Sequence, residues 1–218
     1  MLPVNEVFET IQGEAYWTGT PSVFVRLQGC DVGCPWCDTK HTWGLSPAEE
    51  VPTHTMIRKT HDGPSYAALG ASQLASIVCG FKARHVVLTG GEPCLYDLTE
   101  LTGLLLAQSR TVPIETSGAP PIHAALGTWV TVSPKIDMPG GFAVMDGIVA
   151  GADEVKMPVG KPHDVERLQE LVDRAKPRGL IWLQPLSTSE KATALCVKAA
   201  TENGWRLSMQ THKYLGLR

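Results

Sequence analysis

Ser22-Val23-Phe24-Val25-Arg26-Leu27-Gln28-Gly29-Cys30-Asp31-Val32-Gly33-Cys34-Pro35-Trp36-Cys37-Asp38-Thr39 joins an apolar run to a loop that carries three cysteines. The run from Ser22 to Leu27 reads as a strand. On a loop containing Gly29, Gly33 and Pro35, the closely spaced thiols of Cys30, Cys34 and Cys37 can all point at one centre. Such thiolates hold iron–sulfur clusters. A cubane of four irons held by three cysteines keeps one iron open, and an open position distinguishes a reactive metal site from a closed structural one. The same loop also suits zinc, with His41 as a fourth ligand, and a disulfide framework is a third reading. Taken by itself, the loop leaves all three open.

The bulk properties narrow the context. A chain of 218 residues is long enough for a substantial core and fits one domain, expected over 1–218 with a variable connection at about 45–70. Hydrophobic content of 43% and charged content of 19% are those of an ordinary globular protein. No apolar run is long enough to span a bilayer, so no membrane partner is expected. The start, Met1 to Glu6, lacks the basic region and apolar core of a signal peptide, so a cytoplasmic protein is expected. Cytosolic thiols stay reduced, which favours a metal-binding or catalytic cysteine cluster over disulfides. Cys79 and Cys196 sit among apolar neighbours and read as core residues, and Cys94 reads as packing near the site. A net charge of −3 with scattered basic residues argues against a nucleic-acid partner. The basic end, Lys213 to Arg218, is too short to change that, and a small-molecule substrate is the expectation.

Along the chain, residues 4–14 alternate enough for a short strand or extended lead-in ending at Gly13. Arg26 on an otherwise apolar strand needs a partner, either an internal carboxylate or an anionic ligand for its fork. Residues 45–70 read as a long connection with at most one short helix, and His54 and His61 on it as surface residues. From there strands and helices alternate. A helix capped by Ser72 precedes the strand His85 to Thr89. Strands follow at Val112 to Thr116, Trp129 to Ser133, Asp153 to Lys156 and Leu180 to Gln184, with helices at about 97–108, 163–175 and 190–203. A last strand is read at Arg206 to Met209, and His85 and His123 read as structural or surface residues. Such alternation means parallel strands with right-handed crossovers, whose C-terminal ends gather the ligand site. About six strands fall short of a closed barrel, so the expected fold is α/β, an open and partial parallel barrel.

Cys-x3-Cys-x2-Cys after the first strand and Gly90-Gly91-Glu92-Pro93 after the second resemble the radical S-adenosylmethionine (SAM) superfamily. The chain further resembles the 7-carboxy-7-deazaguanine synthases. The similarity lies in Thr10-Ile11-Gln12-Gly13-Glu14, Arg26-Leu27-Gln28-Gly29-Cys30, Trp36 to Trp43, Thr89 to Cys94, Ile114 to Gly118, Trp129 to Lys135 and Trp205 to Lys213. It covers nearly the whole chain and fails mainly over 45–70. The resemblance implies a ring contraction of 6-carboxy-5,6,7,8-tetrahydropterin to 7-carboxy-7-deazaguanine with release of ammonia, on the route to queuosine and other 7-deazapurines. It also implies a trimmed barrel, a homodimer, a requirement for Mg2+ and an electron donor that the sequence does not identify.

Residue roles follow from the same resemblance. Cys30, Cys34 and Cys37 would hold a 4Fe-4S cluster whose open iron takes SAM, and one-electron cleavage would give a 5′-deoxyadenosyl radical that takes and returns a hydrogen atom. Gly91, Ser133, Pro134, Lys135 and Gln184 would contact SAM. Ile11, Gln12, Gly13, Arg26 and Thr89 would hold the pterin and its carboxylate. Thr39 would place its hydroxyl on Mg2+, which takes few protein ligands; turn capping is its other reading. Glu115 can face SAM, substrate or Lys135, and Gln210 and His212 can close over the substrate or merely pack. The rival functions are an activase acting on a partner protein and a zinc-stabilised binding module.

Overall fold

Valine, isoleucine and leucine fill both faces of the runs that alternate with helical segments, and such runs become parallel strands covered by helices. In the computed structural model, which describes residues 1–217 without the side chain of residue 188, they do so. Arg218, the last residue of the short basic end, lies outside the described residues. β1 (Leu2–Ile11) and β2 (Pro21–Leu27) open the fold, followed by α1 (Thr53–Ile57), β3 (Ala67–Leu69) and α2 (Ala71–Cys79). β4 (His85–Gly90), α3 (Thr99–Ala107), β5 (Pro113–Thr116) and β6 (Trp129–Val132) come next, then α4 (Asp146–Gly151), β7 (Glu154–Val159) and α5 (Pro162–Ala175). β8 (Leu180–Pro185), α6 (Glu190–Asn203), β9 (Arg206–Leu207) and α7 (Thr211–Leu215) complete it.

Among the described residues these strands form one nine-stranded sheet in the order β3-β1-β2-β4-β5-β6-β7-β8-β9. The expected count of about six is therefore corrected. Seven strands, β2 and β4 to β9, pair parallel, β9 being the last strand read at Arg206, and β1 and β3 add an antiparallel flank. β3 comes from the connection at 45–70, which supplies a strand as well as a short helix. Sequence patterning missed it because a three-residue strand shows too little period to register. Ser72 does not cap α2; Gly70 takes that place, in extended conformation.

Two apolar clusters hold the sheet's halves. One packs Val23, Val25 and Leu27 of β2 with Val86 and Leu88 of β4 under α2 and α3. The other packs Val155 and Val159 of β7 and Leu183 of β8 under α5 and α6. Strands stand about 4.8 Å apart, so the seven steps from β1 to β9 would cover roughly 34 Å in a flat sheet. Yet the Ala15 amide just past β1 donates to Ser208 Oγ just past β9 at 2.9 Å. The sheet is curled, and its interior is a hollow rather than a face. Among the described residues no helix is long and apolar enough to cross a membrane.

At the start of β4, His85 is buried with its ring 4.7 Å from that of Trp17. Burial pushes its imidazole down to about 4, so it stays neutral in the native protein. An unfolded chain takes up that proton near 6.5, so stability falls as pH drops from 6.5 towards 4. In denaturant titrations across this range, His85→Leu is expected to flatten that slope; an unchanged slope would contradict the assignment.

Candidate active site

The cysteine loop and the glycine turn after β4 are built against each other. Parallel pairing sets Leu27 opposite Gly90, so both strands end level. The Gly91 amide then donates to the Leu27 carbonyl at 3.0 Å and the Glu92 amide to the Gly29 carbonyl at 2.8 Å. A Cβ on Gly91 would strike the Gly29 carbonyl and crowd Cys30 Cβ, so no side chain fits there. Glu92 is buried, and its carboxylate accepts from the Cys94 amide, Thr116 Oγ1 and the Ser117 amide at 2.7 to 3.0 Å. That single carboxylate ties the exits of β4 and β5 together.

The base of the cysteine loop is held by Gln28, fully buried at the end of β2. Its amide nitrogen donates to the carbonyls of His41 and Gly44 at 3.0 and 2.7 Å, and Asn5 donates to its oxygen at 2.6 Å. Gly29 and Cys30 bond in turn to the Thr42 and Trp43 carbonyls at 2.7 and 3.0 Å. The loop is thereby closed into a ring, and the Cys37 amide bonds to the Cys34 carbonyl at 3.0 Å inside it.

Within the curled sheet lies a cavity of about 360 Å³, a size suited to small molecules. Cys30, Cys34, Cys37 and Thr39 line it from the first exit. Gly91, Ser133, Lys135 and Gln184 line it from later exits, and Ile11, Gln12, Gly13, Arg26 and Thr89 line it as well. Of the residues given a ligand or cofactor role by the resemblance, Pro134 alone does not line it; it is buried at the β6 exit. The Thr39 hydroxyl makes no capping bond and stands 3.6 Å from Cys37 Sγ. Arg26 has an internal carboxylate after all. Its Nε donates to Glu6 at 2.7 Å, while the guanidinium lies over the Phe8 ring, 5.9 Å from its centre.

The far wall is ionic. Glu115 does not meet Lys135; one of its oxygens pairs with Lys156 Nζ at 3.0 Å and the other accepts from Gln12 at 3.0 Å. Lys156 also pairs with Glu14, whose second oxygen accepts from Gln210 at 2.9 Å. Lys213 bonds to Gln210 at 2.8 Å, and the Thr211 amide bonds to the Gly13 carbonyl at 3.0 Å. His212 fills the space where Gly13 has no Cβ. The C-terminal segment is therefore part of the wall. Burial works to raise Glu14, but the Lys156 ammonium beside it prevails and holds the carboxyl down at about 2. Burial also opposes charge on Lys156, and its two carboxylates outweigh that and raise it. Removing one member of such a buried set typically costs about 3–5 kcal/mol, since the charge left behind is uncompensated.

The disulfide reading is set aside, for all six cysteines are free. Among the described residues no three His, Cys, Asp or Glu side chains are already gathered round one point. The three loop thiols nevertheless open on one cavity from one ring. Burial pushes Cys30 up to about 11 and raises Cys34, so both are thiols in the protein alone and would release protons on binding iron. Lys135 stands by with its ammonium 5.2 Å from the centre of the Trp36 ring and bonded to Ser133 Oγ at 2.5 Å. Soft thiolates facing a nearby cation suit an iron–sulfur cluster. His41, the imidazole of the zinc reading, does not line the cavity.

Comparison with known proteins gives the family. A protein of Escherichia coli K12 called 7-carboxy-7-deazaguanine synthase is 47% identical over 220 residues, covering 99% of this chain and 98% of that one. The chain belongs to the 7-carboxy-7-deazaguanine synthase family. A member from Buchnera aphidicola is 41% identical, with 99% of each chain covered. The crystal structure of QueE from Escherichia coli superposes with a TM-score of 0.90 at 45% identity, over 96% of this chain and 93% of that one. No family model matches the chain. As a 7-carboxy-7-deazaguanine synthase family member, the protein is an enzyme.

Three residues of the site were given no role in the sequence reading: Glu92 and Gln28, quoted only within motifs, and Lys156. The only signal for Lys156 was a charge inside a strand that proves to be buried along its whole length. The seam gives a direct test. Gly91→Ala is expected to bind less iron per chain on anaerobic reconstitution, because its methyl group must displace Gly29 and Cys30. Wild-type iron content in a folded variant would contradict that.

Proposed function

We propose that the protein converts 6-carboxy-5,6,7,8-tetrahydropterin to 7-carboxy-7-deazaguanine with release of ammonia. On this reading it is a single-domain radical SAM enzyme with a partial barrel, working as a homodimer with a 4Fe-4S cluster, SAM and Mg2+. The observation that carries the proposal is one cavity shared by the cysteine loop, the Gly91 turn and the Arg26 wall. A zinc-stabilised module gives no reason for the turn or the wall. An activase would need a groove for a protein loop, and a cavity of about 360 Å³ favours a small substrate instead.

Reductive cleavage of SAM at the cluster is the chemistry the cofactors supply. The chain's own work is binding, orientation and exclusion of water. Cys30, Cys34 and Cys37 hold the cluster. Gly91 offers backbone without a side chain, and Ser133, Lys135 and Gln184 face SAM, with Pro134 stiffening the β6 exit behind them. Arg26, held at Nε by Glu6, turns its guanidinium to the substrate carboxylate, and Thr89 is its neighbour in register on β4. Ile11, Gln12 and Gly13 border the pterin, and the Thr39 hydroxyl is a ligand for Mg2+.

Turnover tests the reading directly. Protein with a reconstituted cluster, given SAM, Mg2+, a reductant and 6-carboxytetrahydropterin, is expected to release ammonia and the deazapurine in equal amounts. An intact cluster that binds SAM but turns over no pterin would contradict it.

A further inference from the structure

Glu14 and Glu115 reach the cavity from different elements, one just past β1 and one on β5. Their side chains are 15% and 21% exposed, whereas that of the lysine between them is 3% exposed. All three side chains line the cavity, and the carboxylates present more surface to it than the ammonium between them. Each spends one oxygen on the ammonium and the other on a carboxamide, Gln210 for Glu14 and Gln12 for Glu115. Two carboxylates on one wall repel each other unless a cation lies between them.

We propose that Lys156 is a positioning residue, whose ammonium fixes Glu14 and Glu115 as paired acceptors for the N–H donor edge of the substrate ring. The inference rests on the pterin reading above. A 2-amino-4-oxopyrimidine presents adjacent amino and ring N–H donors in one plane, which match carboxylate oxygens as an arginine fork does. Its acidic substituent is then left for Arg26, which lines the same cavity. Through Gln210 the same ammonium also holds the C-terminal segment against the Gly13 turn. Lys156 acts through the carboxylates and does not touch the reacting atoms.

The test measures, for full-length protein with its cluster, anaerobic dissociation constants for 6-carboxytetrahydropterin and the change in the cluster's EPR spectrum on adding SAM. Lys156→Met is expected to weaken pterin binding by about tenfold or more, the scale of one lost charge-assisted contact, with the SAM response unchanged. Lys156→Arg is expected to recover most of that loss. Adding Glu115→Gln to Lys156→Met is expected to cost less than the two single effects combined, because the repulsion is relieved. Should Lys156→Met not fold, Lys156→Gln keeps a donor without the charge and is expected to lose pterin affinity likewise. Pterin affinity within twofold of wild type in a folded Met or Gln variant, or strictly additive effects, would overturn the positioning role. Wild-type protein that responds to SAM yet binds no pterin would instead overturn the functional reading on which the inference rests.

Discussion

Two carbonyls at the exit of β2, those of Leu27 and Gly29, accept hydrogen bonds from the amides of Gly91 and Glu92 at the exit of β4. The approach is so close that a single methyl group on Gly91 would collide with backbone. This seam sets where the cysteine loop stands relative to every later strand exit. Parallel pairing brings Leu27 level with Gly90, the Glu92 carboxylate carries the constraint on to β5, and Gln28 closes the loop behind it. A cofactor held by the loop and a ligand held by the turn must then meet.

Curling of the sheet supplies the other half of the site. Contacts between the segment after β1 and the segment after β9 bring together elements that a flat sheet would keep far apart. Their meeting places Glu14, Gln210 and Lys156 in one hydrogen-bonded chain and makes the segment from Gln210 to Lys213 a wall of the cavity. The two walls differ in kind. Lys135 stands near the thiols, beside Trp36, whereas two carboxylates and their shared ammonium form an ionic cluster in another part of the lining. A small heterocycle that carries both an acidic group and N–H donors suits a lining with Arg26 as well as Glu14 and Glu115.

Local signals made the first wall readable. Three closely spaced thiols and a Gly-Gly-Glu-Pro turn are short motifs, and their chemistry is written in adjacent residues. The alternation of apolar strands and helices likewise gave the parallel order. Features made by distant contacts were not readable. Lys156 in Glu154-Val155-Lys156 reads like any charged residue near a strand end, because its partners lie 142 and 41 positions away. β3 is too short to show a period, and its pairing to β1 is purely tertiary. Arg26 was readable as a residue in need of a partner, and Glu6, directly across in the β1–β2 register, meets that need without removing the guanidinium from the cavity.

All of this rests on the claim that the three thiols hold a cluster with one iron left for SAM. The most direct measurement is the EPR spectrum of the anaerobically reduced protein before and after SAM is added. A 4Fe-4S signal whose g values shift on addition of SAM is the predicted result. Protein that takes up zinc in place of iron, or a cluster signal indifferent to SAM, would contradict the account.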